Sequence, residues 1–328
     1  MKLYRAMKLF SKPLNKLKIP RTSLVSGGCL AVVFLLVPFG LGKLTVNEQG
    51  LAPYLSTLTE VKYSNWFEVT SLDGLALRSR SAVVVSLPSG RILGAKEPRR
   101  ILPLASLTKL MTVKLVLDQG LNPENIILAE PISLGNRLAP YLSEDDAVSQ
   151  IGLRRPESFR EVDLLAATLV ASANDAVLAL AGGVKLTGHD FIQAVNQETG
   201  KLGLADTRIL EPTGLNPANL GTAIEVAGLA RAVWQDNLAR KLSDLGAVTI
   251  KSQPGTVYNL TNTNELFRQT TDFKILASKT GHLNEVGYNL AQIIKLRSGG
   301  TYLMVLLGAA SPADRSHDAK ILADWLSL

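Results

Sequence analysis

The chain has 328 residues, 46% of them hydrophobic, and a formal net charge of +7. Seven of its 35 basic residues and no acid lie in residues 1–21, so the remaining 28 basic residues equal the 28 acidic ones. A folded part that is neutral overall excludes a nucleic-acid-binding protein. The single cysteine, Cys29, and three scattered histidines exclude a disulfide framework, and they form no motif for a zinc site or a Ser-His-Asp triad. We therefore expect no metal and no cofactor.

Residues 22–42 carry no charge and have their apolar centre at residues 30–37. About 20 such residues can cross the core of a bilayer, and the basic residues before them place the amino terminus in the cytoplasm. The alternative is a cleaved signal peptide with a long basic start, but residues 40–44 make a poor cleavage site. We predict a basic cytoplasmic tail (1–21), an uncleaved transmembrane anchor (22–42) and an exported remainder in the periplasm or cell-wall space.

The exported part begins with residues 43–80, which show no clear period and which we interpret as a stalk. Two runs of β-forming residues within 81–95 flank a Pro-Ser-Gly turn and predict an antiparallel hairpin. The segment that follows, Pro103–Asp118, is apolar on nearly all sides, which predicts a buried helix at the centre of a large domain. Gly120 supplies its end.

Ser106 and Lys109 are three residues apart on this predicted helix and therefore share one face. Ser106 would lie in the first turn, where the helix dipole favours developing negative charge. A serine hydroxyl needs a base at neutral pH, and a lysine can serve if burial and a second cation lower its pKa. Ser-x-x-Lys occurs by chance about once in a chain of this length, so it indicates a nucleophile only together with further motifs.

A mostly helical block spans about residues 105–245. A helical period begins at Glu161, is interrupted at Ser172-Ala-Asn174-Asp175 and resumes to Gly183. Further on, Thr222-Ala-Ile-Glu225 is a capping box that starts another helix.

Strand patterns return near the carboxyl end, before a closing amphipathic helix at 314–326. The three strand segments are 273–281, 288–295 and 301–308. With the first hairpin they predict one five-stranded antiparallel sheet flanked by helices, with a mostly helical subdomain inserted, which is an α+β fold.

Lys279-Thr280-Gly281 ends the first of these strands, and this tripeptide is expected only about 0.1 times by chance. The order Ser-x-x-Lys, Ser-x-Asn, Lys-Thr-Gly resembles the signature of serine D,D-peptidases and serine β-lactamases. Over about residues 81–326 the chain resembles the low-molecular-mass penicillin-binding proteins of the D-alanyl-D-alanine carboxypeptidase and endopeptidase group. Gly221 departs from the pattern, since the group usually has a serine there.

This resemblance implies the serine β-lactamase/D,D-peptidase fold for residues 81–328, and three catalytic residues. Ser106 would be the acylated nucleophile and Lys109 its base. Ser172 would relay the proton to the leaving amine. A nearby Lys279 would be the second cation that keeps Lys109 neutral.

The resemblance also implies the residues that bind substrate. Asn174 would hold the substrate amide and orient Lys109, while Lys279, Thr280 and Gly281 form the motif that binds the terminal carboxylate. The backbone N–H groups of Ser106 and His282 would form the oxyanion hole.

We therefore predict a membrane-anchored serine D,D-peptidase that acts on peptidoglycan stem peptides and is acylated by β-lactams. The alternatives are a class A-like β-lactamase and a catalytically inert peptidoglycan-binding protein on the same fold. Chemically competent residues at every motif position argue against the inert protein. Glu211 and Asn216 resemble the Glu-x-x-Leu-Asn segment of the β-lactamases but are five residues apart rather than four, so we interpret Glu211 as a loop residue. The closing helix ends close to residue 328, without the extra β-domain common in carboxypeptidases, which favours endopeptidase action.

Overall fold

The computed structural model describes residues 69–132, 148–269, 271–284 and 286–328. These residues belong to one compact unit. The predicted cytoplasmic tail, the predicted anchor and most of the predicted stalk lie outside the described residues. No helix within the described ranges is both long and apolar enough to cross a membrane.

The described chain contains both strands and helices. Its strands are β1 (Thr70–Ser71), β2 (Ser81–Ser86), β3 (Ile92–Lys96), β4 (Leu102–Pro103), β5 (Ile126–Ala129), β6 (Glu157–Arg160), β7 (Leu220–Gly221), β8 (Ala247–Lys251), β9 (Val257–Thr261), β10 (Phe273–Leu283), β11 (Gly287–Leu296) and β12 (Thr301–Ala309). Its α-helices are α1 (Lys109–Asp118), α2 (Glu161–Val170), α3 (Asn174–Gly183), α4 (Gly188–Leu202), α5 (Ala223–Trp234), α6 (Asn237–Ser243) and α7 (Pro312–Trp325). Two 3₁₀-helices span Ala105–Thr108 and Glu265–Arg268.

A six-stranded sheet in the order β1-β3-β2-β12-β11-β10 organises the domain. The five predicted strands are neighbours in it and pair antiparallel, which confirms the α+β class. The sheet has a sixth strand because β1 pairs parallel with β3 at the edge, and two residues are too short to show a strand period. Leu72 and Leu77 are buried beside it, so residues 69–80, predicted as the end of the stalk, pack on the sheet.

Both faces of the sheet are covered, so alternate side chains of one strand enter two different cores. On β12, Leu303, Val305 and Leu307 enter the larger core with helices α1 and α5, whereas Met304 and Leu306 enter a smaller core with α7. A strand buried on both faces has a continuous apolar sequence, which is why β12 contains no polar alternation.

The helical block has the predicted break after the first helix, but the next helix begins earlier than predicted, since Asn174 and Asp175 already belong to it. Helices α2 and α3 are separated at residues 171–173, and α5 begins after Thr222, whose side chain accepts a hydrogen bond from the Glu225 N–H. The sequence did not predict the short strand pair β5–β6 inside this block or the pair β8–β9 that follows it.

The predicted central helix is divided in the structure. Residues Ala105–Thr108 form a 3₁₀-helix, with Ala105 at a φ of 48°, and the α-helix begins only at Lys109. Ser106 therefore precedes the first α-helical turn instead of lying in it. Because a 3₁₀-helix has three residues per turn, Ser106 and Lys109 still lie one above the other.

Candidate active site

Lys109 is fully buried, and its Nζ lies between the nucleophile candidate and a loop. The Nζ donates hydrogen bonds to Ser106 Oγ at 2.9 Å and to the Thr213 carbonyl oxygen at 2.6 Å. Burial lowers the pKa of Lys109 to about 7, while the carboxylates of Glu211 and Asp175 act in the opposite direction. A lysine with such a pKa is about half neutral at neutral pH, so it can accept the Ser106 proton.

Lys279 is also fully buried and is the second lysine of the site. Burial lowers its pKa well below the usual value, and the charges of Lys109 and Arg315 lower it further. Burial, rather than the second cation expected from the sequence, is thus the main cause of the low pKa of Lys109. The motifs did not predict Arg315, which reaches this region from α7 and pairs with Glu265 at 2.6 Å.

Ser172 lies in the turn between α2 and α3, directly beside Lys279. It adopts a φ of 59°, which is uncommon for a residue other than glycine, and it is buried. Lys279 Nζ donates to Ser172 Oγ at 2.7 Å and to the Thr280 carbonyl oxygen at 2.8 Å. Because the lysine donates, the Ser172 hydroxyl keeps its own hydrogen for another acceptor.

Asn174 opens helix α3 and is buried, with its backbone N–H donating to the Ser149 carbonyl oxygen at 2.9 Å. Its side-chain Oδ1 has no hydrogen-bond partner among the described residues. The hydrogen bonds of Lys109 Nζ within the described chain run to Ser106 and Thr213, so Asn174 is not hydrogen-bonded to Lys109 there. A buried amide oxygen without a partner is an acceptor that a ligand N–H can satisfy.

Gly281 brings strand β10 against the backbone of the nucleophile. A Cβ at this position would lie 2.8 Å from the Leu104 carbonyl oxygen and 3.2 Å from the Ser106 nitrogen, so a side chain would force the two segments apart. The next residue, His282, stacks on Tyr288 with ring centroids 4.0 Å apart. Thr280, one residue before Gly281, is almost fully buried.

The loop from Glu211 to Asn219 supplies the carbonyl that holds Lys109. The Glu211 carboxylate accepts hydrogen bonds from the Thr213 N–H at 2.7 Å, the Gly214 N–H at 2.6 Å and Asn219 Nδ2 at 2.8 Å. It also accepts from the Thr213 hydroxyl and the Asn216 N–H. With these donors around it, Glu211 organises the loop, as the sequence interpretation expected.

Two buried asparagines hold the backbone just before the nucleophile. Asn289 Nδ2 on β11 donates to the carbonyl oxygens of Pro103 and Leu104 at 3.0 and 3.1 Å, and the Leu104 N–H donates to the Asn219 carbonyl oxygen at 2.8 Å. The motifs did not predict either residue. An asparagine inside a mostly apolar strand was the available signal for Asn289, because a buried polar side chain must have partners.

The structure therefore brings predicted site residues together in two hydrogen-bonded pairs. Ser106 is joined to Lys109 and Ser172 to Lys279, with Thr280 and Gly281 on the same strand as Lys279. Such an arrangement provides a hydroxyl nucleophile, a base of low pKa and a second hydroxyl beside a lysine, which are the groups that acyl transfer needs.

Comparison with known proteins identifies relatives of this chain. A family model described as D-alanyl-D-alanine carboxypeptidase matches residues 68–310. A D-alanyl-D-alanine endopeptidase of Pseudomonas aeruginosa is 32% identical over 251 residues, which cover 76% of this chain and 77% of the relative. One of Haemophilus influenzae is 30% identical over 245 residues, which cover 74% and 80%.

Among solved structures, the ampicillin-bound penicillin-binding protein D2 of Listeria monocytogenes is similar, with a TM-score of 0.61 and 25% identity. The match covers 76% of this chain and 98% of that one. The family match covers most of the chain, and the alignments cover more than two thirds of the length of the relatives. The chain therefore belongs to the D-alanyl-D-alanine carboxypeptidase family of serine peptidases.

Proposed function

We propose that this chain is a serine D,D-peptidase of peptidoglycan that works through an acyl-enzyme on Ser106 and is blocked by β-lactams. The observation that carries the proposal is the contact of 2.9 Å between Ser106 Oγ and the Nζ of Lys109, a buried lysine whose pKa is about 7. The family match and the endopeptidase relatives support the same reaction.

In the acylation step, neutral Lys109 takes the hydroxyl proton of Ser106 as Oγ attacks the carbonyl carbon of a D-alanyl residue. A C–O bond forms, and the carbonyl oxygen becomes an oxyanion between the backbone N–H groups of Ser106 and His282. The C–N bond then breaks, and the leaving amine takes a proton from the Ser172 hydroxyl. Protonated Lys109 then gives its proton to Ser172. In the second step water attacks the ester, releases the acid and restores Ser106.

The remaining motif residues bind the substrate in this proposal. Lys279 donates through its Nζ and Thr280 through its hydroxyl to the carboxylate next to the scissile bond. Asn174 Oδ1, which lacks a partner among the described residues, accepts a hydrogen bond from a substrate amide. Gly281 lets this edge of β10 approach the Ser106 nitrogen.

A β-lactam undergoes the same acylation step, but its acyl-enzyme is hydrolysed slowly. Its amide nitrogen stays tethered to the acyl group after the ring opens, and rapid hydrolysis then needs a carboxylate base for water. Glu211 does not offer one, because its carboxylate accepts hydrogen bonds from the donors of its own loop. This arrangement supports a penicillin-sensitive peptidase over a β-lactamase.

Within this family we propose endopeptidase action on the cross-link between two stem peptides, because both relatives described above are endopeptidases. We expect the purified chain to open a D,D-cross-linked muropeptide dimer faster than it releases terminal D-alanine from a pentapeptide monomer. Chromatography with mass spectrometry of the products measures both rates. Faster release of terminal D-alanine would contradict the endopeptidase preference alone, whereas no cleavage of either substrate would contradict the peptidase function.

We also propose that residues 22–42 anchor the enzyme in the cytoplasmic membrane, with residues 1–21 inside and the catalytic domain outside. The uncharged 22–42 segment and the basic residues before it support this location. We expect the protein in native membranes to keep its amino-terminal lysines and to resist extraction by high salt. A mature chain that starts near residues 43–50 in a soluble exported fraction would instead indicate a cleaved signal peptide.

A further inference from the structure

Thr263 contacts the substrate-binding motif although it belongs to none of the motifs. It follows strand β9, and its Oγ1 lies 2.6 Å from Oγ1 of Thr280. Its backbone N–H donates to the carbonyl oxygen of Val170 at 3.2 Å, at the end of helix α2. Val170 stands two residues before Ser172, so Thr263 bridges the turn that carries Ser172 and the strand that carries Thr280.

The residues on both sides of Thr263 hold its backbone in place. Asn262 and Asn264 are buried, and their side-chain amides donate to the Leu245 carbonyl oxygen and to Ser278 Oγ, each at 2.8 Å. A buried amide that leaves its partner loses a hydrogen bond that no water replaces. The Thr263 hydroxyl is therefore held beside Thr280 by contacts that do not involve substrate.

The hydrogen bond between the two threonines has a direction that a bound carboxylate determines. A hydroxyl has one hydrogen to donate, and a carboxylate only accepts. Thr280 can bind a carboxylate only by donating its hydrogen to it, so its mutual bond with Thr263 must then be donated by Thr263. In such a chain each hydrogen bond polarises the next and strengthens it.

We propose that Thr263 is a positioning residue that donates to Thr280 and thereby directs the Thr280 hydroxyl hydrogen at the free carboxylate of the substrate. This role rests on the proposed function, because Thr280 must face a substrate carboxylate. It makes Thr263 a determinant of selectivity for ligands with a free carboxylate over the same ligands with that group esterified.

The test compares acylation of purified variants by benzylpenicillin and by its methyl ester, which lacks the charge. Thr263→Val removes the hydroxyl and keeps the β-branched shape, whereas Thr263→Ser keeps the hydroxyl. Thr249→Val is the matched control, because the Thr249 hydroxyl bonds to Asn259 on the hairpin β8–β9. The readout is the second-order rate constant of acylation, followed by intact mass.

We expect Thr263→Val to slow acylation by benzylpenicillin about tenfold, the loss typical of one hydrogen bond that supports a charged ligand. Acylation by the ester should change less than about twofold. Thr263→Ser should restore the selectivity, and Thr249→Val should keep it. With a peptide substrate, KM should rise in Thr263→Val while kcat changes little, because the carboxylate is bound throughout the reaction.

Equal slowing with both β-lactams would overturn the proposal, since it indicates a general disturbance of the site. Unchanged acylation in Thr263→Val, or loss of selectivity in Thr263→Ser, would overturn it as well. If Thr263→Val does not fold, Thr263→Ala compared with Thr263→Ser isolates the hydroxyl. Failure of the unmodified chain to form any adduct would contradict the proposed function, which distinguishes the two failures.

Discussion

Replacing Ser106 with alanine is expected to abolish both the β-lactam adduct and peptide cleavage. The unmodified chain should gain the mass of one β-lactam, and the variant should gain none. Peptidase activity should fall by a factor of about 10⁴ or more, because no other group in the site then forms the covalent intermediate. The variant should fold normally, since it loses one hydroxyl and Lys109 Nζ keeps its hydrogen bond to Thr213.

The matched control is Ser89→Ala, which removes an exposed serine in the turn between β2 and β3. It should form the adduct at the rate of the unmodified chain. Peptide mapping of the acylated protein should locate the β-lactam on Ser106. An adduct that persists in Ser106→Ala would show that another residue is the nucleophile.

Replacing Lys109 with methionine should slow acylation by a factor of about 10³, within the range usually lost with a general base. In the unmodified chain the acylation rate should rise with pH through about 7, because only neutral Lys109 accepts the proton and its pKa is about 7. The methionine variant should lack this rise. Stopped-flow acylation between pH 5 and 9 measures both; a rise near pH 7 that persists in the variant would assign it to another group.

The stability of the same variant separates the catalytic role of Lys109 from a structural one. Methionine fills a similar volume without a charge, so relief from burying an ammonium group offsets the loss of a partner for the Thr213 carbonyl. We expect the free energy of unfolding at neutral pH to change by less than about 2 kcal/mol. Loss of activity together with unfolding would mean that Lys109 is required mainly for the fold.

The pH dependence of this stability has a definite sign. The folded-state pKa of Lys109 is about 7 and the ordinary value is 10.5, so between these values the unfolded chain binds more protons than the folded one. The free energy of unfolding of the unmodified chain should therefore rise with pH across this window, by about 1.4 kcal/mol per unit, relative to Lys109→Met. Denaturant unfolding at pH 7 and pH 9 measures the difference.

The sequence predicted the parts of this protein that local patterns encode. The alternation and apolar runs of the strands located β2, β3, β10, β11 and β12, and the capping box located the start of α5. A break after the helix that starts at Glu161 was visible because the helical period stops there, although the sequence extended the break to Asp175, which belongs to α3. Strand β1 was not predictable, since two residues do not make a period.

Local patterns also misplaced the beginning of the central helix. The residues of this segment favour a helix throughout, so the sequence predicted one helix that contains Ser106. The structure starts the α-helix at Lys109, because the preceding backbone is held by Asn289 from β11 and by Asn219 from the loop. Such hydrogen bonds join residues more than 100 positions apart, and no local period reports them.

The candidate site likewise has features that the sequence predicted and features that it did not. The spacing within Ser106-x-x-Lys109 and within Lys279-Thr280-Gly281 is local, so the sequence alone was enough to predict which side chains carry the chemistry. Their environment was decided only by the tertiary structure: burial lowers the pKa of Lys109, the Thr213 carbonyl holds its Nζ, and Thr263 meets Thr280. Desolvation and hydrogen-bond direction depend on what surrounds a group in space, which the order of residues along the chain does not specify.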